Sequence, residues 1–442
     1  MQNNFLQLFK IPETRERIFR TLGLLFCYRI GFAIPLPGMN VETFGDQRGI
    51  LGLLSALSGS QLGQATIFSL GIMPYISASI IFSMLSKVSP TLEAVAKEGA
   101  AGQKKINQWT RLTVVPIALI QAVFVYTGVF LKNKQEYVYS SMQDSPFALA
   151  MVVISGLIAG ALVVMWIGEL ITEYGVGNGA SLIIMAGIIA SLPTNFAQIR
   201  SNPEFWQILM YMLFVWMITI FVVVFMHKGA RRVPIQYARL QRGRRVYGGQ
   251  RHYLPLKVNM AGVMPIIFAS VLFVIPGIIF EWLSLDFMGQ IFQDQTGFIY
   301  VLTYAALIFA FSFFWNRLMF QPEDIANNLR EHGSFIPGIR PGVKTAEFLG
   351  NVVNRITLAG AAFLALVAVL PAFITDGTGL TPTMQYFLGG TSVLIVVGVA
   401  LELVDKLNAQ LVMRQYEGGG GPAGSVTKAK GGGGSWTTAE GE

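Results

Sequence analysis

The sequence predicts an all-α membrane protein in which ten transmembrane helices form two inverted five-helix halves. Three observations lead to this fold class. The 442 residues are 53% apolar and only 13% charged, whereas a soluble chain carries about 25% charged residues. Ten apolar segments approach the length of about 20 residues that a membrane helix needs. A short motif also recurs at the same place in the two sets of five segments.

The ten segments are long stretches with few or no charges. In the first half they are 21–36, 65–86, 112–131, 146–168 and 178–193. In the second half they are 205–226, 258–280, 297–316, 356–375 and 385–401. They divide the chain into an N-terminal half, 1–200, a C-terminal half, 201–416, and a tail, 417–442. The tail has Gly-rich blocks typical of a flexible linker, natural or engineered.

The basic residues between the segments orient the chain, because Lys and Arg concentrate in short cytoplasmic loops. Here they concentrate in the N-terminal segment and in the second, sixth and eighth loops, whereas the odd-numbered loops carry few. Both termini are therefore predicted to be cytoplasmic. The sixth loop is the most basic, since residues 230–257 contain eight Lys or Arg and no Asp or Glu.

The recurring motif is GIMPYI at 71–76 and GVMPII at 262–267, each in the second segment of a half. Because each half has an odd number of segments, the second half enters the membrane from the opposite side. This is the pattern of an inverted repeat, whose working site lies between the halves. Branched residues four apart share a helix face and could line an apolar constriction that closes a pore. Chance recurrence and ordinary helix packing are the alternatives.

Other features narrow the function classes. The apolar segment 49–63 is too short to span and is predicted to be re-entrant, interfacial or buried in protein. A single cysteine, Cys27, excludes an internal disulfide, and three scattered histidines offer no metal-ligand cluster. No phosphate loop, catalytic set or cofactor motif is present. An enzyme is therefore disfavoured, and a secondary transporter is weakened because no pair of ionisable residues lies in mid-membrane.

Four strings resemble the bacterial SecY family, the channel-forming subunits of the Sec protein translocase. They are FSLGIMPYISASIIF (68–82), TEYGVGNGASLIIMAGI (172–188), RGRRVYGGQRHYLPLKVNMAGVMPIIFAS (242–270) and GSFIPGIRPG (333–342). The resemblance implies a multi-pass protein of the bacterial inner membrane, with its two halves around a central hourglass pore. Such a channel translocates unfolded secretory polypeptides and releases membrane-protein helices sideways into lipid. The alternative is a secondary transporter of a small solute.

The resemblance also assigns roles to residues of the membrane region. It implies a pore ring made of Ile72, Ile76, Ile184, Val263, Ile267 and Ile395. It implies a plug within 49–63 that includes Ile50, Leu51, Leu53, Leu54 and Leu57. It implies a lateral gate between the second and seventh helices that includes Met73, Pro74, Ile80, Met264 and Pro265.

The partners implied by the resemblance are SecE, SecG and either the SecA ATPase or a translating ribosome. Signal peptides and nascent polypeptides are the implied substrates. The docking loops are 227–257 and 320–355, and the basic docking residues are Arg239, Arg242, Arg244, Arg245, Arg251 and Arg340. A loop without acidic residues also attracts an acidic partner or ribosomal RNA through long-range, salt-sensitive forces.

Overall fold

The computed structural model describes most of the helical chain. The described residues are 12–39, 66–127, 138, 145–200, 205–237, 240–242, 245–247, 251–259, 262–270, 272, 297–375 and 390–417. The plug predicted within 49–63, which includes Ile50, Leu51, Leu53, Leu54 and Leu57, lies outside the described residues. The same is true of Arg239, Arg244 and nearly all of the tail.

The N-terminal half contains seven described helices. They are α1 (Pro12–Gly31), α2 (Met73–Val88), α3 (Pro90–Lys97), α4 (Ala100–Val125), α5 (Pro146–Tyr174), α6 (Gly179–Ala190) and α7 (Leu192–Arg200). Local sequence explains several starts. Pro stands in the first turn of α2, α3 and α5, where its missing N–H costs nothing. The Asn178 side chain caps α6 by accepting from the Ala180 N–H at 3.0 Å, a standard N-cap bond.

The C-terminal half alternates membrane helices with a layer of strands and loops. Its described helices are α8 (Phe205–Lys228), α9 (264–270), α10 (Phe298–Met319), α11 (Pro322–Glu331), α12 (Val343–Thr375) and α13 (Gly390–Glu417). Its strands are β1 (Ala230–Tyr237), β2 (Leu240–Arg242), β3 (Arg245–Tyr247), β4 (Arg251–Lys257) and β5 (Ser334–Phe335).

A helix coincides with each of the ten predicted spans. Within the described residues, five helical segments are long and apolar enough to cross a membrane: α4, α5, α8, α10 with its continuation to Glu331, and Val343–Val369 of α12. Helices α2 and α6 are apolar but shorter. Several helices extend beyond the apolar segment that predicts them. For example, α12 begins at Val343 rather than at 356, and α13 ends at Glu417 rather than at 401.

These extensions have a simple physical reason. Hydropathy reports where lipid contact ends, whereas a helix continues as long as its backbone hydrogen bonds and packing persist. The charged ends of α12 and α13 therefore project out of the apolar layer as continuous helix.

A small β-sheet in the basic loop is the main departure from the sequence prediction. Strand β1 pairs antiparallel with β4 and with β5, which gives the order β4-β1-β5, and β2 pairs with β3. Val233 and Ile235 are buried, whereas their neighbours Arg232 and Pro234 are exposed. This alternation is the period-two pattern of a half-buried strand. The sheet packs on α12 through a cluster that joins Val233 and Leu256 to Leu349 and Val353.

The largest core cluster lies between the two halves. It contains residues of α1, α2, α5 and α6 from the first half and of α8, α9, α10, α12 and α13 from the second. A second cluster joins α4 and α5 inside the first half. The seam between the halves is therefore a packed apolar region, and it contains the residues predicted for the pore.

Candidate functional site

The two motif segments adopt the same local backbone. Gly71 and Gly262 have positive φ angles of 54° and 63°, a conformation that glycine adopts without the steric cost of a side chain. A helix begins two residues after each, at Met73 in α2 and at 264 in α9. The first helical hydrogen bonds also correspond, from Ile76 N to Ile72 O at 3.0 Å and from Ile267 N to Val263 O at 3.3 Å.

Different side chains hold the two segments in place. Before Gly71, the buried Ser69 hydroxyl accepts from the Thr66 N–H at 2.8 Å and donates to the Thr66 carbonyl at 2.7 Å. Before Gly262, the Asn259 side-chain amide donates to the Gly262 carbonyl at 2.9 Å. The first turn is therefore closed by a buried hydroxyl with two bonds and the second by a single half-buried amide.

The six predicted ring residues belong to one buried cluster. All are at most 8% exposed, and Ile72 is completely buried. They come from the beginnings of α2 and α9, including the residue just before each helix, and from α6 and α13, so both halves contribute. The structure thus brings together side chains that are separated by more than 300 positions in the chain.

Two glycines allow neighbouring helices to approach the motif segments. A Cβ atom built on Gly168 of α5 would lie 3.3 Å from the Cδ1 atoms of Ile72 and Ile183. A Cβ atom built on Gly398 of α13 would lie 2.7 Å from Val263 Cγ1. In each half, therefore, the motif residue packs against a glycine-containing surface of another helix.

The predicted gate residues surround the start of α2 and α9. Met73, Pro74 and Pro265 are buried, and Ile80 and Met264 are partly exposed. A buried hydrogen bond of 2.8 Å between the Ser270 and Tyr304 hydroxyls connects α9 to α10. The rings of Phe268 and Trp315 also pack, with centroids 4.8 Å apart.

The predicted docking residues that are described lie in the layer of strands and loops. Arg242 pairs with Arg245 where β2 and β3 meet, and Arg251 pairs with Gln236 across β4 and β1. Arg340 is exposed. Its loop is flanked by Gly338 and Gly342 with φ of 84° and 97°.

The two halves also meet at one end of their helices, in a contact that the sequence prediction does not include. The Val176 N–H donates to the Thr21 hydroxyl at 3.0 Å. The Val176 side chain packs with Leu407 and Leu411 of α13. The turn YGVGNG that carries Val176 is visible in the sequence as a glycine-rich break between α5 and α6. Its contact with α13, however, depends on the packing of the two halves.

The site is apolar in its chemistry. The described ring residues offer no polar group to an ion or to a reaction, and no group of three potential metal ligands occurs among the described residues. Polar and charged groups instead concentrate in the loops beyond the helix ends.

Three solved structures share this arrangement of helices. A protein conducting channel matches with a TM-score of 0.65 at 18% identity, over 95% of this chain and 98% of that chain. A SecY protein whose plug domain stabilises the closed state and maintains a membrane seal matches with a TM-score of 0.63 at 17% identity, with the same coverage. Sec61 in the canine ribosome-channel complex matches with a TM-score of 0.60 at 17% identity, again over 95% and 98%. The class is therefore a multi-pass membrane protein with the fold of a protein-conducting channel, which confirms the predicted fold class.

Curated relatives agree with the fold. The protein translocase subunit SecY of Streptomyces coelicolor is 40% identical over 440 residues, 95% of this chain and 99% of the relative. The same subunit of Escherichia coli is 38% identical over 424 residues, 92% of this chain and 94% of the relative. The SecY family model matches residues 66–404. The chain belongs to the SecY family. It is a channel rather than an enzyme, and the transporter alternative is not favoured.

Proposed function

We propose that this chain forms the pore through which unfolded secretory polypeptides cross the bacterial inner membrane. One observation carries the proposal: six branched apolar side chains from both halves converge in one buried cluster at the seam. Such a constriction leaves no room for water and offers no substitute for the hydration shell of an ion. The ring is therefore Ile72, Ile76, Ile184, Val263, Ile267 and Ile395, and it seals the idle channel.

The proposed lateral gate of the channel lies between α2 and α9, the helices that begin at the two motif segments. Met73, Pro74 and Ile80 belong to one side, and Met264 and Pro265 to the other. Residues of both helices belong to the same seam cluster, so separation of the halves would open this cluster towards lipid. The plug is assigned to 49–63, which lies in the predicted first external loop.

A cross-linking experiment tests the pore. A photoreactive amino acid replaces either Ile184 or Ile395 in proteoliposomes that also contain SecE and SecG, and SecA drives a precursor that is arrested in transit. Both positions should cross-link to the precursor. Phe214 and Met217 on α8 serve as controls, because they are 65% and 69% exposed on the outside of the bundle. Equal cross-linking at ring and control positions would refute the pore assignment.

The proposed partners of the channel are SecE, SecG and either SecA or a translating ribosome. Both termini are proposed to lie in the cytoplasm. The support is the basic sheet and the loop after it, which project beyond α8, α10 and α12. Arg231, Arg232 and Arg340 are exposed there, and a surface of this charge attracts acidic protein or ribosomal RNA. Arg239, Arg242, Arg244, Arg245 and Arg251 belong to the same basic stretch of the sequence.

Arg340 is the most specific test of docking. Arg340→Glu should abolish SecA-driven export while the protein remains inserted and assembled with SecE. Charge reversal at Arg242, Arg244 and Arg245 should weaken binding of SecA or ribosomes, and more at low salt, where charges are less screened. Export at the parental rate by the Arg340→Glu protein would contradict the assignment.

A further inference from the structure

Residues 257–259 connect the basic sheet to the second gate helix. Strand β4 ends at Lys257, and α9 begins at 264. The segment that follows residues 257–259 carries Val263 and Ile267 of the proposed ring. Residues 257–259 are therefore a junction between the sheet and the ring. Because only a few residues separate the junction from the ring, the position of the junction limits where these two side chains can lie.

Two helices of the second half contact the backbone of the junction. The Val258 N–H donates to the Gly229 carbonyl, just after α8, with an N–O distance of 2.9 Å. The Val258 carbonyl lies against Gly360 of α12, where a Cβ atom would come within 2.6 Å of the carbonyl oxygen. Glycine is the residue that lets another backbone approach so closely. Gly360 therefore determines how deeply the junction packs against α12.

An ion pair connects the junction to α13. Lys257 Nζ donates to Asp405 Oδ2 at 3.2 Å, and the two side chains are 50% and 55% exposed. The buried part of α13 carries Ile395 of the ring and Gly398, the glycine that packs on Val263. The same helix therefore contacts both the junction and a ring residue beyond it. Because an exposed ion pair is weak, this one adjusts the position of the junction and does not hold it alone.

We infer that Lys257, Asp405 and Gly360 are positioning residues for the seal of the channel. They act through the junction, which they hold where Val263 and Ile267 close the ring. This inference rests on the proposed function and deepens it, because it names residues outside the ring that set how tightly the ring closes.

The physical reason is the short range of the contacts in an apolar seal. Such a constriction excludes water only while its side chains remain in contact. A gap of about 0.5–1 Å already forfeits roughly a quarter to a half of the attraction between two apolar atoms. A small displacement of the junction should therefore be measurable as a leak of ions through the idle channel.

Charge exchange tests the ion pair. The channel is reconstituted with SecE and SecG, and its resting ion conductance is measured without SecA. Lys257→Asp and Asp405→Lys should each raise this conductance about 1.5-fold to fivefold, the range expected for an exposed ion pair. The double variant Lys257→Asp with Asp405→Lys restores opposite charges and should return the conductance close to the parental value. A general loss of stability would not be reversed by exchanging the charges.

The matched control is a second ion pair of similar exposure. Lys406 pairs with Glu402 at 2.9 Å, with side chains that are 44% and 48% exposed, and both residues belong to α13. Lys406→Gln should leave the resting conductance unchanged, whereas Lys257→Gln, which removes the same charge from the junction, should raise it. An equal rise in both proteins would indicate a general effect of charge and would overturn the inference.

Alanine at Gly360 tests the backbone contact. Its Cβ atom would displace the Val258 carbonyl, and the resting conductance should rise about tenfold, the order of effect expected of overpacking. The control is Gly350→Ala in the same helix, where a Cβ atom would lie 3.7 Å from Pro322 Cγ, an ordinary contact. Since alanine favours a helix at both positions, a difference between the two proteins comes from the contact with Val258. Thermal midpoints show whether both proteins are folded.

The outcomes separate this inference from the proposed function. If the parental channel does not translocate a precursor with SecA and ATP, the proposed function fails. If it does, but neither Gly360→Ala nor the loss of the ion pair changes the resting conductance, the inference alone is overturned. A charge-exchanged channel that leaks as much as the single variants would overturn it as well. Should Gly360→Ala fail to fold, the ion-pair variants decide, because their side chains are half exposed.

Discussion

The two motif segments, 71–76 and 262–267, have nearly the same sequence and the same backbone but different supports. Both begin with a glycine at positive φ, and both place a proline in the first turn of a helix. The first is preceded by the buried Thr66–Ser69 turn. The second has the bond from Asn259, and a Cβ atom on Gly262 would meet no atom of the described residues within 4 Å.

This difference shows that a short motif determines its own backbone conformation, but not the neighbouring hydrogen bonds that hold it in place. The left-handed glycine and the early proline act locally, so both copies start a helix in the same way. The anchoring depends on residues outside the motif. We expect the second segment, with α9 and α10 behind it, to move more than the first when the halves separate.

The largest expected effect comes from removing the apolar seal from either segment. Ile72→Ser with Ile76→Ser, and Val263→Ser with Ile267→Ser, should each raise the resting ion conductance of the reconstituted channel. Every 1.4 kcal/mol removed from the barrier to ions increases the rate about tenfold, and hydroxyl groups replace part of the hydration shell. The double variant Ile72→Leu with Ile76→Leu should have little effect on this conductance. A conductance equal to that of the parent in both Ser proteins would remove these residues from the ring.

Smaller effects, on the free energy of unfolding, should distinguish the Thr66–Ser69 turn from the Asn259–Gly262 bond. Ser69→Ala leaves the Thr66 N–H without an acceptor in a buried turn, and it should lower the free energy of unfolding by about 1–3 kcal/mol. Asn259→Ala removes one half-buried bond and should cost about 0.5–1.5 kcal/mol. Thermal or denaturant unfolding of the purified proteins measures both. If Asn259→Ala proved the more destabilising, the second segment would be the better anchored one.

The smallest difference between the two segments should come from the glycines themselves. Alanine at a left-handed position costs about 1–2 kcal/mol. Gly71→Ala should lie at the upper end of this range because its buried turn cannot relax, and Gly262→Ala at the lower end because its surroundings are open. The same unfolding measurement compares them. Equal losses would mean that backbone strain alone sets the cost and that the anchors do not matter.

Much of the fold is predictable from particular stretches of sequence. Apolar segments such as 146–168 and 205–226 identify α5 and α8 because hydropathy and length are local properties. The β1–β4 hairpin is not predicted, although the alternation of Val233 and Ile235 with exposed neighbours was a usable signal. The basic residues of that loop predict docking, but they do not predict strands.

The sequence by itself determined the class of protein, the positions of its apolar segments and the repeated motif at which α2 and α9 begin. Hydrophobicity, charge and backbone freedom act residue by residue, so these properties can be read without coordinates. Only the tertiary structure decided that Ile184 of α6 and Ile395 of α13 share a cluster. It also decided that Lys257 of β4 pairs with Asp405 of α13. Such contacts join residues that are distant in the chain, and they depend on how whole helices pack against one another.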